Sequence, residues 1–238
     1  MLQARYKKIA YAPKKKVPAY RKVRRQSQLA AVRQLSNIRT AGFSNVEFKF
    51  LDTEKTTTAM AATGTVLNDT ICAIPQGAGE SSRLGRKCTV TKVDIRGHFK
   101  IASNNGVTTG STIRFIVYLD KQTNAAAALV SDLLVDPGSG LSTQSFRNLQ
   151  NKDRFRVLFD EYCDLNPQAA TITSGDVIAT QEIIKPFYFS KKVNIPLEFK
   201  SSTPSVADLS SNNIGIMALS EGSHVTTAYV ARIRFTDN

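Results

Sequence analysis

The chain has 238 residues, 42% of them hydrophobic, with 32 Lys or Arg against 19 Asp or Glu and a formal net charge of +13. That length allows one large or two smaller domains with a substantial core, and the lack of any run of about 18 apolar residues excludes a membrane-spanning helix. Three cysteines, Cys72, Cys88 and Cys163, are an odd number without paired spacing; they suit neither a disulfide framework nor a metal site and read as buried free thiols.

The charge is concentrated at the start. Residues 1–40 carry Arg5, Lys7, Lys8, Lys14, Lys15, Lys16, Arg21, Lys22, Arg24, Arg25, Arg33 and Arg39 and no Asp or Glu, which leaves twenty basic and nineteen acidic residues for the rest. Residues 1–42 therefore read as a basic arm and 43–238 as a nearly neutral body. The arm has only Tyr6, Tyr11 and Tyr20 for bulk and is interrupted by Pro13 and Pro18, so it cannot bury enough apolar surface to offset its ordering entropy and is expected to be disordered when free. Its beginning lacks an uninterrupted apolar core and a cleavage site, so it does not read as a secretory signal. Leu29, Val32, Leu35 and Ile38 have the spacing of a short helix. Twelve cations on one flexible segment predict sequence-independent, salt-dependent binding to phosphates through counterion release, with the tyrosines available to stack on bases. Lys14–Lys16 and Arg21–Arg25 also have the composition of a bipartite nuclear import signal.

From Val46 onward the apolar residues recur with a period of two. Val46, Phe48 and Phe50 open the series, followed by candidates at 65–74 and 88–101. Next come Ile113–Leu119, Phe155–Phe159, 182–190, Val193–Phe199, 213–220 and Tyr229–Phe235: nine short strands. In 88–101, Cys88 and Val90 have one parity and Val93, Ile95, Phe99 and Ile101 the other, which predicts a β-bulge near Thr91 and Lys92. Beyond it Lys92, Asp94, Arg96, His98 and Lys100 form an outward stripe, a solvated face or a second polyanion contact. The spacing predicts one helix, Ala125–Leu134, capped by Thr123 or Asn124 and stopped by Asp136-Pro137-Gly138. Irregular strand spacing without a repeat points to an all-β single sandwich or jelly roll.

The run IPQGAGESSRLGRK, Ile74–Lys87, has the look of a phosphate loop but not its spacing. Gly79 and Gly85 enclose five residues, Arg86 stands where a P-loop has lysine, and Ser82 stands where GxGxxG needs its third glycine. The run reads as structural punctuation in which Arg83, Arg86 and Lys87 pair with Glu80 or a neighbouring subunit, the alternative being an anion contact. No catalytic constellation, metal set or cofactor motif stands out. His98 and His224 have no partner at ligand spacing. Asp160 and Glu161 fall on opposite faces of a strand and, with Asp164, read as carboxylates balancing Arg154 and Arg156.

The same run, followed in order by Val117-Tyr118-Leu119-Asp120-Lys121-Gln122-Thr123-Asn124, by Asp153-Arg154-Phe155-Arg156-Val157-Leu158-Phe159-Asp160 and by Arg234-Phe235-Thr236-Asp237, resembles the capsid proteins of circular, Rep-encoding single-stranded DNA viruses. The resemblance implies a single eight-stranded antiparallel jelly roll of viral capsid type. It also implies a homo-oligomeric icosahedral shell of about sixty copies, a packaged circular single-stranded DNA bound by the arm, and a location in the virion and, during assembly, the host nucleus. Arg83, Arg86, Lys87, Lys92, Arg96 and Lys100 are further candidates for contact with the genome. Charge alone leaves two other readings open: the coat of a satellite or small single-stranded RNA virus, and a cellular β-domain that binds nucleic acid through a basic tail.

Overall fold

The computed structural model describes residues 48–101, 110–136, 138, 140–166, 171–173, 176–178, 183–222 and 224–237. The chain divides into two units, Met1–Val46 and Glu47–Asn238; the first, with all the arm readings, lies outside the described residues.

The second unit is built from antiparallel strands. In order they are β1 (Phe48–Ala59), β2 (Thr65–Asn68), β3 (Lys87–Ile101), β4 (Ser111–Asp120), β5 (Phe155–Leu165), β6 (Thr171–Thr173), β7 (Asp176–Ile178), β8 (Ile183–Phe199), β9 (Leu209–Ser211), β10 (Asn213–Ser220) and β11 (Val225–Asp237). They form a five-stranded sheet, β1-β11-β3-β8-β9, a four-stranded sheet, β2-β10-β4-β5, and a separate β6-β7 hairpin. Without the three shortest pieces, β6, β7 and β9, eight strands remain, four in each sheet. The chain crosses from sheet to sheet at every connection except β4 to β5, which is the strand order of a jelly roll.

The bounds of three expected elements need correction. The candidates at 182–190 and 193–199 are one strand, β8, because Lys191 stays in the ladder and sends Nζ to the Leu158 carbonyl, 2.8 Å away. The candidate at 65–74 ends at Asn68, where the Asn68 and Asp69 carboxamide and carboxylate oxygens accept from the Thr70 N–H and turn the chain. The helix is only Val130–Leu133, here α1: Asn124 and Ala125 have φ of 45° and 57°, a left-handed conformation that cannot start an α-helix. Asp132 Oδ2 accepts from the Leu129 N–H and closes its first turn.

The main core fills the space between the sheets with Val93, Ile95, Ile113, Val117, Ile216, Ile233 and Phe235, all without exposed surface. An aromatic group runs through it: Phe99 stacks on Phe187 at 4.5 Å, and Phe115 meets Phe187 at 4.7 Å. Gly97 makes that possible. It lies opposite Phe187 in the ladder, where a β-carbon would come within 2.7 Å of the ring and 2.6 Å of the Ala228 carbonyl.

A second core lies on the other side of the four-stranded sheet. Ile116, Tyr118, Met217 and Leu219 face outward from β4 and β10 and are covered by Ala128, Val130, Leu133 and Leu134 from the long β4–β5 connection. β4 is thus buried on both faces, not on the one that alternation implied. Two arginine pairs hold the connection down. Arg154 grips Asp120 at 3.0 and 2.8 Å, and Arg114 grips Asp160 at 2.8 and 2.9 Å while donating to the Thr143 and Ser145 carbonyls. The reading of Asp160 as a surface counterion to Arg154 and Arg156 is therefore wrong: it serves Arg114 and, at 3.3 Å, Arg147.

Candidate nucleic-acid interface

The long connection covers one outer face of the sandwich; the other, on the five-stranded sheet, is mostly polar and charged, with Phe50, Tyr188 and Val230 exposed among those side chains. The bulge creates the basic part of that face. Against β11 the register shifts between Val90 and Lys92, so Thr91 is the extra residue, and its hydroxyl donates to the Arg234 carbonyl at 3.1 Å. Val90 and Val93 both stay in the core, and the even-numbered residues after Thr91 turn outward, as their parity predicts.

Cross-strand neighbours then extend the stripe. Lys92 lies between Arg234 on β11 and Lys192 on β8, Asp94 between Arg232 and Ser190, and Arg96 between Val230 and Tyr188. Phe50 and Asp52 on β1 sit opposite Arg234 and Arg232. Lys92, Asp94, Arg96, Tyr188, Val230, Arg232 and Arg234 line a shallow cleft of about 270 Å³.

The carboxylates here are occupied. Asp94 accepts from Lys92 and Ser190, both at 2.7 Å, and from Tyr188 at 3.3 Å, with Arg234 at 3.9 Å. Burial alone would raise its pKa, but these donors outweigh burial and hold it below the usual carboxylate value. Asp52 is lowered chiefly by its bidentate hydrogen bonds from Arg232. Four cations face two carboxylates around the cleft, so the face is net positive.

The candidates named from sequence separate into groups. Lys92 and Arg96 share the cleft, and Lys100 lies further along the same face of β3, opposite Thr226. Arg86 and Lys87 are exposed where β3 begins, with Glu198 at 3.6 Å from Lys87. Arg83 leaves the set. It is fully buried, with Nε donating to the Ile74 carbonyl, Nη1 to Gly85 and Nη2 to Ser201, and its guanidinium stacks 4.0 Å above the Phe199 ring. Its partners are backbone carbonyls, not Glu80.

Sequence reasoning missed Arg232, Arg234, Lys192 and Tyr188. The parity of β11 already pointed the first two outward; what it lacked was the knowledge that β11 lies between β1 and β3. Arg156, Lys191 and Lys192 form another basic group where β5 meets β8. Cys72 and Cys88 are buried free thiols, both pushed up to about 12 by desolvation. Among the described residues no three of His, Cys, Asp or Glu gather as a metal site, and no helix is long and apolar enough to cross a membrane.

No family model matches the chain, and no curated protein does. Solved structures that it partly overlays include one of infectious bursal disease virus, Gt strain, at 10% identity and a TM-score of 0.15, covering 81% of this chain and 42% of that one. Another is the VP2 subviral particle of infectious bursal disease virus, at 10% identity and a TM-score of 0.14, covering 80% and 42%. The chain spans less than half the length of either. The strand order itself, β1-β11-β3-β8 facing β2-β10-β4-β5, is that of a jelly roll.

Proposed function

We propose that the protein is a non-catalytic viral coat subunit: a jelly roll that assembles into a closed shell of about sixty copies and packages circular single-stranded DNA through its basic N-terminal arm. The observation that carries this reading is the division of charge. Twelve cations without an acid occupy residues 1–40, while twenty basic and nineteen acidic residues share the rest, and that nearly neutral part is a two-sheet jelly roll. A neutral body lets many copies pack without mutual repulsion, and a cationic arm neutralises a polyanion inside. The strand order belongs to a small set of architectures that includes capsid domains. The four ordered sequence motifs favour a single-stranded DNA virus within that set, and the lysine and arginine clusters favour passage through the nucleus.

The test compares the full chain with a full-length variant whose twelve arm cations are glutamine, by light scattering and the 260/280 nm absorbance ratio. Uniform particles carrying nucleic acid from the first and empty or failed shells from the second are expected. DNase sensitivity of the extracted nucleic acid separates this reading from an RNA coat. A small monodisperse species from both proteins would return the chain to the class of cellular nucleic-acid-binding domains.

A further inference from the structure

We infer that the open face of the five-stranded sheet is a second binding site for single-stranded nucleic acid, in which nucleobases stack on Tyr188 and Phe50 and the intervening phosphates lie along Arg96, Arg232, Arg234 and Lys92. The inference rests on the packaging reading above and assigns a part of the body to it.

Each ring is exposed and each is already paired with a cation. Tyr188 keeps 54% of its surface in solvent, its hydroxyl is held by Asp94 at 3.3 Å, and the Arg96 guanidinium sits 5.2 Å from its ring centroid. Phe50 is 37% exposed with Arg232 at 4.8 Å, and Phe48, 69% exposed, follows on the same face of β1. Planar groups fixed in this way stack on bases with little further loss of side-chain freedom, and base–aromatic stacking is tolerant of sequence.

The cleft lined by Lys92, Arg96, Arg232 and Arg234 separates the two rings. By register, Phe50 and Tyr188 are three strands apart across the sheet and four residues apart along it, which is about 19 Å from strand spacing and rise. A flexible single strand can cross that distance with bases turned onto both rings; a duplex keeps its bases inside. The acids do not cancel the site. Asp94 fixes Tyr188 and Lys92, and Asp52 fixes Arg232, so both act on neighbours already in place. A sulphated glycan would satisfy the cations and leave the rings idle.

Photochemical crosslinking tests this on the full chain. A single-stranded oligonucleotide substituted with 5-iododeoxyuridine is bound and irradiated, and the crosslinked peptides are mapped by mass spectrometry. Crosslinks are expected at the peptides containing Tyr188 and Phe48–Phe50 as well as in the arm. The Tyr188 signal should survive in Tyr188→Phe and fall about tenfold in Tyr188→Leu. An abasic oligomer of equal charge should compete for the face at least about tenfold less well than a base-bearing strand; equal competition by it or by heparin overturns the inference. Crosslinks confined to residues 1–40 in particles that still carry nucleic acid overturn it while leaving the packaging reading intact. Absence of both particles and bound nucleic acid overturns both.

Discussion

Arg83 lies 4.0 Å above the ring of Phe199, with every guanidinium nitrogen donating to a backbone carbonyl, those of Ile74, Gly85 and Ser201. The Arg83 N–H and carbonyl in turn bond to Pro75 and Gly77, so the glycine-rich run closes around its own arginine. Arg83→Ala strands the carbonyls in a cavity and is expected to cost about 2–4 kcal/mol. Arg86→Ala, on exposed surface, should stay within about 0.5 kcal/mol of the parent. Urea unfolding of the two variants checks the contrast, and a mild effect of Arg83→Ala would refute the structural role.

Asp160 supplies a pH-dependent prediction. Burial tends to raise its pKa, yet the hydrogen bonds and charges of Arg114 and Arg147 prevail and lower it. A carboxyl depressed on folding contributes stability that is complete above its unfolded pKa, about 3.9, and disappears as pH falls through the lower folded value. Asp160→Asn leaves Arg114, 4% exposed, without its counterion and should destabilise by about 3 kcal/mol at neutral pH. The difference between variant and parent should shrink on acidification below about pH 4. A difference constant across that range would show that Asp160 acts through packing and not through charge.

Gly97→Ala should be among the most damaging single-carbon additions to the molecule. The new methyl would meet the Ala228 carbonyl and Tyr229 Cβ at 2.6 Å, neither the end of a flexible chain. A loss of about 2–3 kcal/mol is expected, as for overpacked cores. Gly85→Ala has nothing within 4 Å of the added carbon and serves as the control. Thermal melts of the pair decide the matter.

The thiols should separate by accessibility. Cys72 and Cys88 are buried with pKa pushed up to about 12, whereas Cys163 is half-buried and raised to a lesser degree by burial. With a disulfide reagent at neutral pH, one thiol should react slowly in the folded protein and the other two only in denaturant. Fast reaction of all three would mean that the sandwich opens readily.

Much of the sandwich was legible because a half-buried strand writes its face into residue parity. The bulge at Thr91 is the clearest case, since a change of parity within one strand has few other causes. Arg83 was not legible: a basic, glycine-rich run reads the same whether its cation turns outward to solvent or inward to carbonyls. The second core was missed because Ile116 and Tyr118 look like the outward half of an alternating strand until a distant connection is seen to cover them. Helix spacing over Ala125–Leu134 was overruled by two residues of positive φ, which composition does not announce. The aromatic and basic face was only half visible because Lys92 and Arg96 share a strand, whereas Tyr188, Arg232 and Arg234 reach them through pairings between distant parts of the chain.

The position of β11 also sets the order in which the molecule can be made. Its residues Val225–Asp237 pair with β1 on one side and β3 on the other, Phe48 facing Thr236 and Cys88 facing Asp237. During synthesis β1 and β3 leave the ribosome early and are not joined within the sheet until the strand that lies between them arrives. Pairings this distant in sequence fold slowly, and the waiting strands expose edges that invite association with other chains. A nascent chain is therefore open to misassembly until β11 is free to enter, and a chaperone that shields β1 and β3 over that interval would raise the yield more than one acting on the finished subunit.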